Sequence, residues 1–421
     1  MRTELPASLL NTDSGRRADA ILRSCVHCGF CNATCPTYLV EGNELDGPRG
    51  RIYLIKDMLE TGAVDAVART HLDRCLTCRA CETTCPSGVA YGELLEIGRD
   101  VLETGAVRGR VNRGLRALLI SVVPRPRLFG PLVALGRWLR PLLPRRLRDA
   151  VPPPERPLPA ADDGLIPPAP VSRPGAAQAS AGTVVGTHGR VVLLEGCVQR
   201  VATPGVNATL RQLLAARDIE VVSVPQEACC GGLALHLGDH AAALGAIARN
   251  VAALAPWLSR VDAILSTASG CGVTVKDYGR LAAAEPTLAE PAERLARLTL
   301  DVAEYLATLP TPPARAGAYR RVAWHPPCTL QHGQRVTGVV ERLLTAAGYE
   351  LQPVADAHLC CGSAGTYALL EPGLSGALRT RKLAALEAHQ PDVIATANIG
   401  CQLHLGAAAG VPVRHWLSLL R

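Results

Sequence analysis

The chain has 421 residues, 48% hydrophobic and 3% aromatic; this is enough apolar material for two or three cored domains, which excludes a disordered chain, and too few rings for a binder that stacks single-stranded bases. Its formal net charge is +7, yet the segment from Arg108 to Arg148 alone holds eleven Arg and no Asp, Glu or Lys, so the basic character is local and a chain-wide grip on nucleic acid is a poor reading. None of the three lysines (Lys56, Lys276, Lys382) precedes Ser or Thr and no Gly-x-Gly-x-x-Gly occurs, so neither a Walker loop nor a dinucleotide fingerprint is present.

Sixteen cysteines without a secretion-type N-terminal apolar run point to a reducing compartment in which thiols serve metals. No apolar run is long enough to read as a spanning helix. In chain order the first segment, residues 1–107, carries Cys25-x2-Cys28-x2-Cys31-x3-Cys35-Pro36 and then Cys75-x2-Cys78-x2-Cys81-x3-Cys85-Pro86, separated by a helical spacer. Three thiolates at this spacing wrap one face of a cubane, and the fourth, turned away by the proline, reaches the other cluster. Cys25, Cys28, Cys31 and Cys85 are thus expected to hold one [4Fe-4S] cluster, and Cys35, Cys75, Cys78 and Cys81 the second. A pair of zinc sites is the alternative, though closed tetrahedral zinc sets have no use for the triple spacing.

Residues 108–150 alternate apolar patches with Arg, and five prolines (Pro124, Pro126, Pro131, Pro141, Pro144) cut them into short pieces. Two readings stay open: interfacial helices that meet an anionic membrane, or a connector whose Leu residues pack on a neighbouring domain. Residues 151–185 are Pro-rich and read as an extended linker. Beyond it lie two copies of one unit, 186–310 and 318–421. A shift of 131 residues carries RVVLLEGC, ending at Cys197, onto RVAWHPPC, ending at Cys328, and ACCGG (228–232) onto LCCGS (359–363). DAILSTASGC ending at Cys271 likewise matches DVIATANIGC ending at Cys401. Each copy predicts strand, helix, strand, Cys-Cys-Gly turn, helix, strand, Cys, hence α/β units on a mainly parallel sheet. The whole is an α+β multidomain chain: a mainly helical two-cluster module, then two duplicated α/β cysteine-rich units.

Cys197, Cys229, Cys230 and Cys271 in one unit, and Cys328, Cys360, Cys361 and Cys401 in the other, are candidate ligands of a further cluster or of zinc, with buried structural cysteines as the alternative. His325, His332 and His358 stand beside these thiols and are read as polar residues satisfied by backbone rather than as ligands. No hydrolytic triad or carboxylate pair stands out, so no catalytic residue is named.

The N-terminal motifs resemble the two-cluster bacterial ferredoxin module. Pro48-Arg49-Gly50-Arg51 is similar to the signature that follows the first cluster motif in iron-sulfur subunits of flavin-linked 2-hydroxyacid dehydrogenases; the alternative is a turn whose Arg49 caps a helix. The Cys-Cys-Gly units resemble the cysteine-rich domain of heterodisulfide reductases and their relatives, but each ends in one Cys where the fullest pattern has Cys-x-x-Cys, so a disulfide-reducing cluster is not carried over. Over its whole length, and most specifically in CCGSAGTYALLEPGLSGALRTRK, the chain resembles the iron-sulfur subunits of bacterial glycolate oxidase (glycolate dehydrogenase). The resemblance implies an electron-transfer subunit with two [4Fe-4S] clusters, FAD on partner subunits only, and glycolate oxidised to glyoxylate by those partners. It also implies onward transfer to a quinone or other acceptor and a cytoplasmic location, peripheral on the inner membrane. The same role with lactate or glycerol 3-phosphate, or a zinc-bound adaptor, are the rival readings.

Overall fold

The computed structural model describes residues 1–105, 108–143, 151–154, 189–310 and 319–420. The Pro-rich linker expected over 151–185 therefore lies outside the described residues apart from its first four, as do residues 144–150 of the connector.

The N-terminal region is helical. Thr12 caps the helix Asp13–Ser24, its hydroxyl accepting from Gly15 N at 3.0 Å. Proline opens the helix Pro48–Thr61, where a missing N–H costs nothing, and Gly62 closes it at φ 71°. Together with the helix Tyr91–Thr104 these bury Leu22, Ile55, Met58, Leu94 and Leu95 in one core. The two cysteine loops repeat one backbone shape: His27 and Gly29 have φ 55° and 83°, and their counterparts Thr77 and Arg79 have 52° and 58°. Arg79 holds this left-handed conformation without glycine's freedom while its guanidinium binds Asp277.

The connector forms the helices Arg110–Val122 and Pro126–Leu139, bent by 110° at the break, and no single helix among the described residues is long and apolar enough to cross a membrane. The connector is half anchored and half free. Arg108 and Arg116 are buried against Asp73 and Glu103, so part of the basic surplus is spent inside the fold. Leu118, Leu128, Leu132, Leu135 and Trp138 are exposed.

Each cysteine-rich unit is a four-stranded parallel sheet. Strands β1 (Arg190–Leu194), β2 (Glu220–Val222), β3 (Ala263–Ser266) and β4 (Thr299–Asp301) lie in the order β2-β1-β3-β4. Strands β5 (Arg321–His325), β6 (Glu350–Gln352), β7 (Val393–Thr396) and β8 (Val413–His415) repeat it as β6-β5-β7-β8. The fully buried VVLL and AILS runs are what a sheet covered on both faces requires. The short fourth strands are an addition to the predicted pattern; three residues each, they show no periodicity of their own. Val191, Leu193 and Leu265 of the first unit share one core with Trp324, Val393 and Trp416 of the second. The chain reverses strand order between β1 and β3, and between β5 and β7, which leaves a crevice at the carboxyl ends of those strands. All eight thiols of the units follow strand ends there.

Candidate metal centres

Four thiols of the N-terminal region, Cys25, Cys28, Cys31 and Cys85, line one cavity. Cys35, Cys75, Cys78 and Cys81 line a second. Pro48, Cys81 and Tyr91 face both and form the partition between them. The structure thus brings together the two sets expected from the spacing, each motif sending its last cysteine across. Burial, then the charge of Cys25, pushes the Cys31 thiol up to about 11. Burial likewise raises Cys78, with Cys328 and Cys35 adding to it, and Cys81, with Cys78 and Cys75 adding. Thiols crowded this way remain protonated alone and shed protons to a cationic centre, so the donor sets fit iron-sulfur clusters.

The signature after the first motif does more than turn the chain. Pro48 supplies the partition, and a Cβ on Gly50 would lie 2.2 Å from Glu44 O, so only glycine lets the helix approach that loop. Arg49 pairs with Glu44 at 2.6 Å. Arg51, 1% exposed, donates to His71 O at 2.7 Å and Thr37 Oγ1 at 3.1 Å, and reaches Cys35 Sγ at 3.9 Å. Burial opposes its charge, but Cys75, Tyr91, Cys35 and Asp46 hold the guanidinium charged above its ordinary range. Tyr91 OH donates to Cys75 Sγ at 3.6 Å. Both residues are placed to stabilise negative charge on the second set. Sequence reasoning passed over Arg51 as a functional side chain because its spacing resembles that of an ordinary helix start.

The two cavities face different surroundings. The first opens outward beside an exposed Cys28, with Val26 68%, Phe30 60% and Tyr53 54% exposed nearby. The second adjoins the second cysteine-rich unit: half-buried Cys78 and Cys328 pack against a cluster of Leu76, Cys360, Tyr367 and Leu378.

Each unit collects its own four thiols. In the first, Cys197 Sγ is 3.4 Å from Cys229 Sγ. Hydrogen bonds from Cys197 and then Cys230 hold Cys229 below the ordinary thiol range. In the second, Cys328 Sγ is 3.9 Å from Cys360 Sγ, and the S–H groups donate in series from Cys328 to Cys360, Cys361 and Cys401. Asn398 Nδ2 also donates to Cys401 Sγ, at 3.8 Å. The buried ammonium of Lys382 is turned to the same set, bonded to Asp356 O at 2.7 Å.

Of the three histidines, His332 fits the expectation, bonding His358 O at 2.9 Å and Thr83 Oγ1 at 2.8 Å. His325 does not. It is 1% exposed, and among the described residues neither ring nitrogen has a hydrogen-bond partner. The strand pattern hid this, because a buried strand end gives no sign of which way its polar atoms are satisfied.

Comparison with known proteins places these features in a family setting. A 4Fe-4S dicluster domain matches residues 21–89, and a cysteine-rich domain matches 191–276 and again 322–406. The glycolate oxidase iron-sulfur subunit of Escherichia coli is 44% identical over 100% of this chain and 98% of its own length. A probable glycolate oxidase iron-sulfur subunit of Bacillus subtilis is 30% identical over 96% of this chain and 93% of its own. Among solved structures, a hypothetical protein of Helicobacter pylori superimposes with a TM-score of 0.52 at 8% identity, covering 96% of this chain and 71% of that one, which is a likeness of fold alone.

Proposed function

Since the chain belongs to the family of glycolate oxidase iron-sulfur subunits, and so is an electron-transfer component of an oxidoreductase, we propose that it takes electrons from a partner FAD subunit that oxidises glycolate to glyoxylate and delivers them to a quinone or another acceptor. Cys25, Cys28, Cys31 and Cys85 would hold one [4Fe-4S] cluster; Cys35, Cys75, Cys78 and Cys81 would hold the other. When bound, these clusters supply two one-electron carriers. The observation that carries the reading is the pair of four-thiol cavities sharing one wall, in a chain that matches its relatives end to end.

The direction of flow follows from what covers each cavity. Val26, Phe30 and Cys28 give the first set an open, partly apolar face suited to a flavin subunit, while Cys78 of the second packs with Cys328 and Cys360. Electrons therefore arrive at the exposed set and leave from the buried one toward the second cysteine-rich unit. Arg51 and Tyr91 hold charge on the second set, which favours that order.

The bent helix pair completes the proposal. Its exposed Leu118, Leu128, Leu132, Leu135 and Trp138, interspersed with arginines outside the Asp73 cluster, suit the anionic cytoplasmic face of the inner membrane, where the quinone lies.

The test is glycolate-dependent dye reduction by the complex isolated anaerobically, with D-lactate in parallel. Activity with glycolate that is lost in Cys28→Ser and Cys78→Ser supports the proposal. Activity with lactate alone would keep the electron-transfer role and replace the substrate.

A further inference from the structure

Duplication makes the two cysteine-rich units comparable residue by residue, and one position facing the thiols differs in kind. β1 ends in Leu194 and β5 in His325, each three residues before the first cysteine of its set. Leu194 is buried with Ile264 and Val275 in an apolar cluster that also packs Cys230. His325 occupies the same strand end opposite Thr396, but its ring atoms come within 4.8 Å of Cys361 Sγ and Cys401 Sγ, all three residues being buried.

An imidazole buried with no hydrogen-bond partner is costly, on the order of 1–3 kcal/mol for each unsatisfied polar group. Such a residue persists where something outside the protein's own atoms satisfies it. The neighbours on the other side are thiols, and the nearby cation, Lys382, is already bonded to the carbonyls of Asp356 and Ala357.

We propose that the second unit holds its metal centre through a mixed set in which His325 joins Cys361 and Cys401, with Cys328 and Cys360 alongside, whereas the first unit, with Leu194 in that place, binds through thiolates alone. The centre is a thiophilic transition metal, iron within a cluster or zinc, since both accept imidazole nitrogen beside thiolate sulfur. The duplicated units are on this view chemically unlike. Where the imidazole takes the place of one of the four thiolates, the set carries one negative charge fewer and the potential of an iron centre rises, which suits a site lying next to Cys78. The inference rests on the reading that the cysteine-rich units bind metal; the eight N-terminal thiols report on the electron-transfer reading separately.

The full chain, isolated anaerobically with its partner subunits, is to be analysed for iron, zinc and acid-labile sulfide per chain in the wild type, His325→Leu and His325→Cys. The wild type is expected to carry metal beyond the complement of the two N-terminal clusters. His325→Leu, which copies the first unit, should weaken retention of part of that excess by about tenfold or more, with the electron paramagnetic resonance signals of the N-terminal clusters intact. His325→Cys should keep it. Loss of iron together with sulfide marks a cluster, and loss of zinc alone marks a zinc site. Wild-type metal content in His325→Leu overturns the proposal, as does a wild type with no metal beyond the N-terminal clusters. Equal loss in both variants also overturns it, making His325 a packing residue. Should His325→Leu fail to fold, His325→Cys decides alone: metal retained supports the mixed set, and metal lost contradicts it.

Discussion

The first and second cysteine-rich units share strand order, thiol placement and a common core, but they do different things with them. The first touches the N-terminal region through polar contacts: Asp277 to Arg79, Arg280 to Glu96 at 2.8 Å, and His236 to Thr77 at 3.0 Å. The second makes one such contact, His332 to Thr83 Oγ1 at 2.8 Å, and adds its thiols, Cys328 and Cys360 packing with Cys78. Duplication supplied two equal scaffolds, and docking against the N-terminal region made them unequal. On the proposed path, one copy serves as a brace and the other as a continuation.

The sharpest way to break this comparison is to damage both sets equally. Cys360→Ser should lower glycolate-dependent turnover by about 10- to 100-fold, and Cys229→Ser by clearly less, measured on complexes with matched N-terminal cluster content. Equal losses would remove the asymmetry. Next in size is Arg51→Met. Loss of a buried cation beside Cys35 should lower the potential of the second set by on the order of 100 mV, and breaking its pairing with Asp46 should cost about 3–5 kcal/mol of stability. Arg51→Lys should keep most of the potential, and a redox titration separates the two.

A smaller effect is expected at the membrane. Trp138→Asp should weaken binding to anionic vesicles roughly tenfold or more, given about 1.5–3 kcal/mol for a large apolar side chain leaving its site, while activity with a soluble dye stays level. Binding indifferent to salt and lipid charge would return the helix pair to plain packing. The smallest belongs to the brace: Asp277→Asn removes partly exposed ion pairs with Arg79 and Arg280 and should cost about 1 kcal/mol, visible in thermal unfolding and not in the potentials.

Much of this was legible in the chain. The Cys-x2-Cys-x2-Cys-x3-Cys-Pro runs announce crossed sets because their spacing is a local consequence of cluster shape, and the repeat of RVVLLEGC as RVAWHPPC announces two like units. What was not legible lies between segments. Cys78 and Cys328 are distant in sequence, and nothing in either motif encodes their meeting. Arg108 and Arg116 read as surface charge until Asp73 and Glu103 are found beside them. His325 reads as a polar residue satisfied by backbone until its two nitrogens are seen to lack partners, and the difference from Leu194 was available in the repeat but carries meaning only once the ring is found beside Cys361 and Cys401.

The most direct measurement is electron paramagnetic resonance of the anaerobic complex before and after glycolate, in the wild type and Cys78→Ser. Signals of reduced clusters from both N-terminal sets should appear in the wild type, and in Cys78→Ser the first set alone should be reduced, with no electrons reaching the dye. A wild type whose clusters stay oxidised with glycolate present, or a Cys78→Ser variant that still turns over, would contradict electron transfer through the two sets in this order.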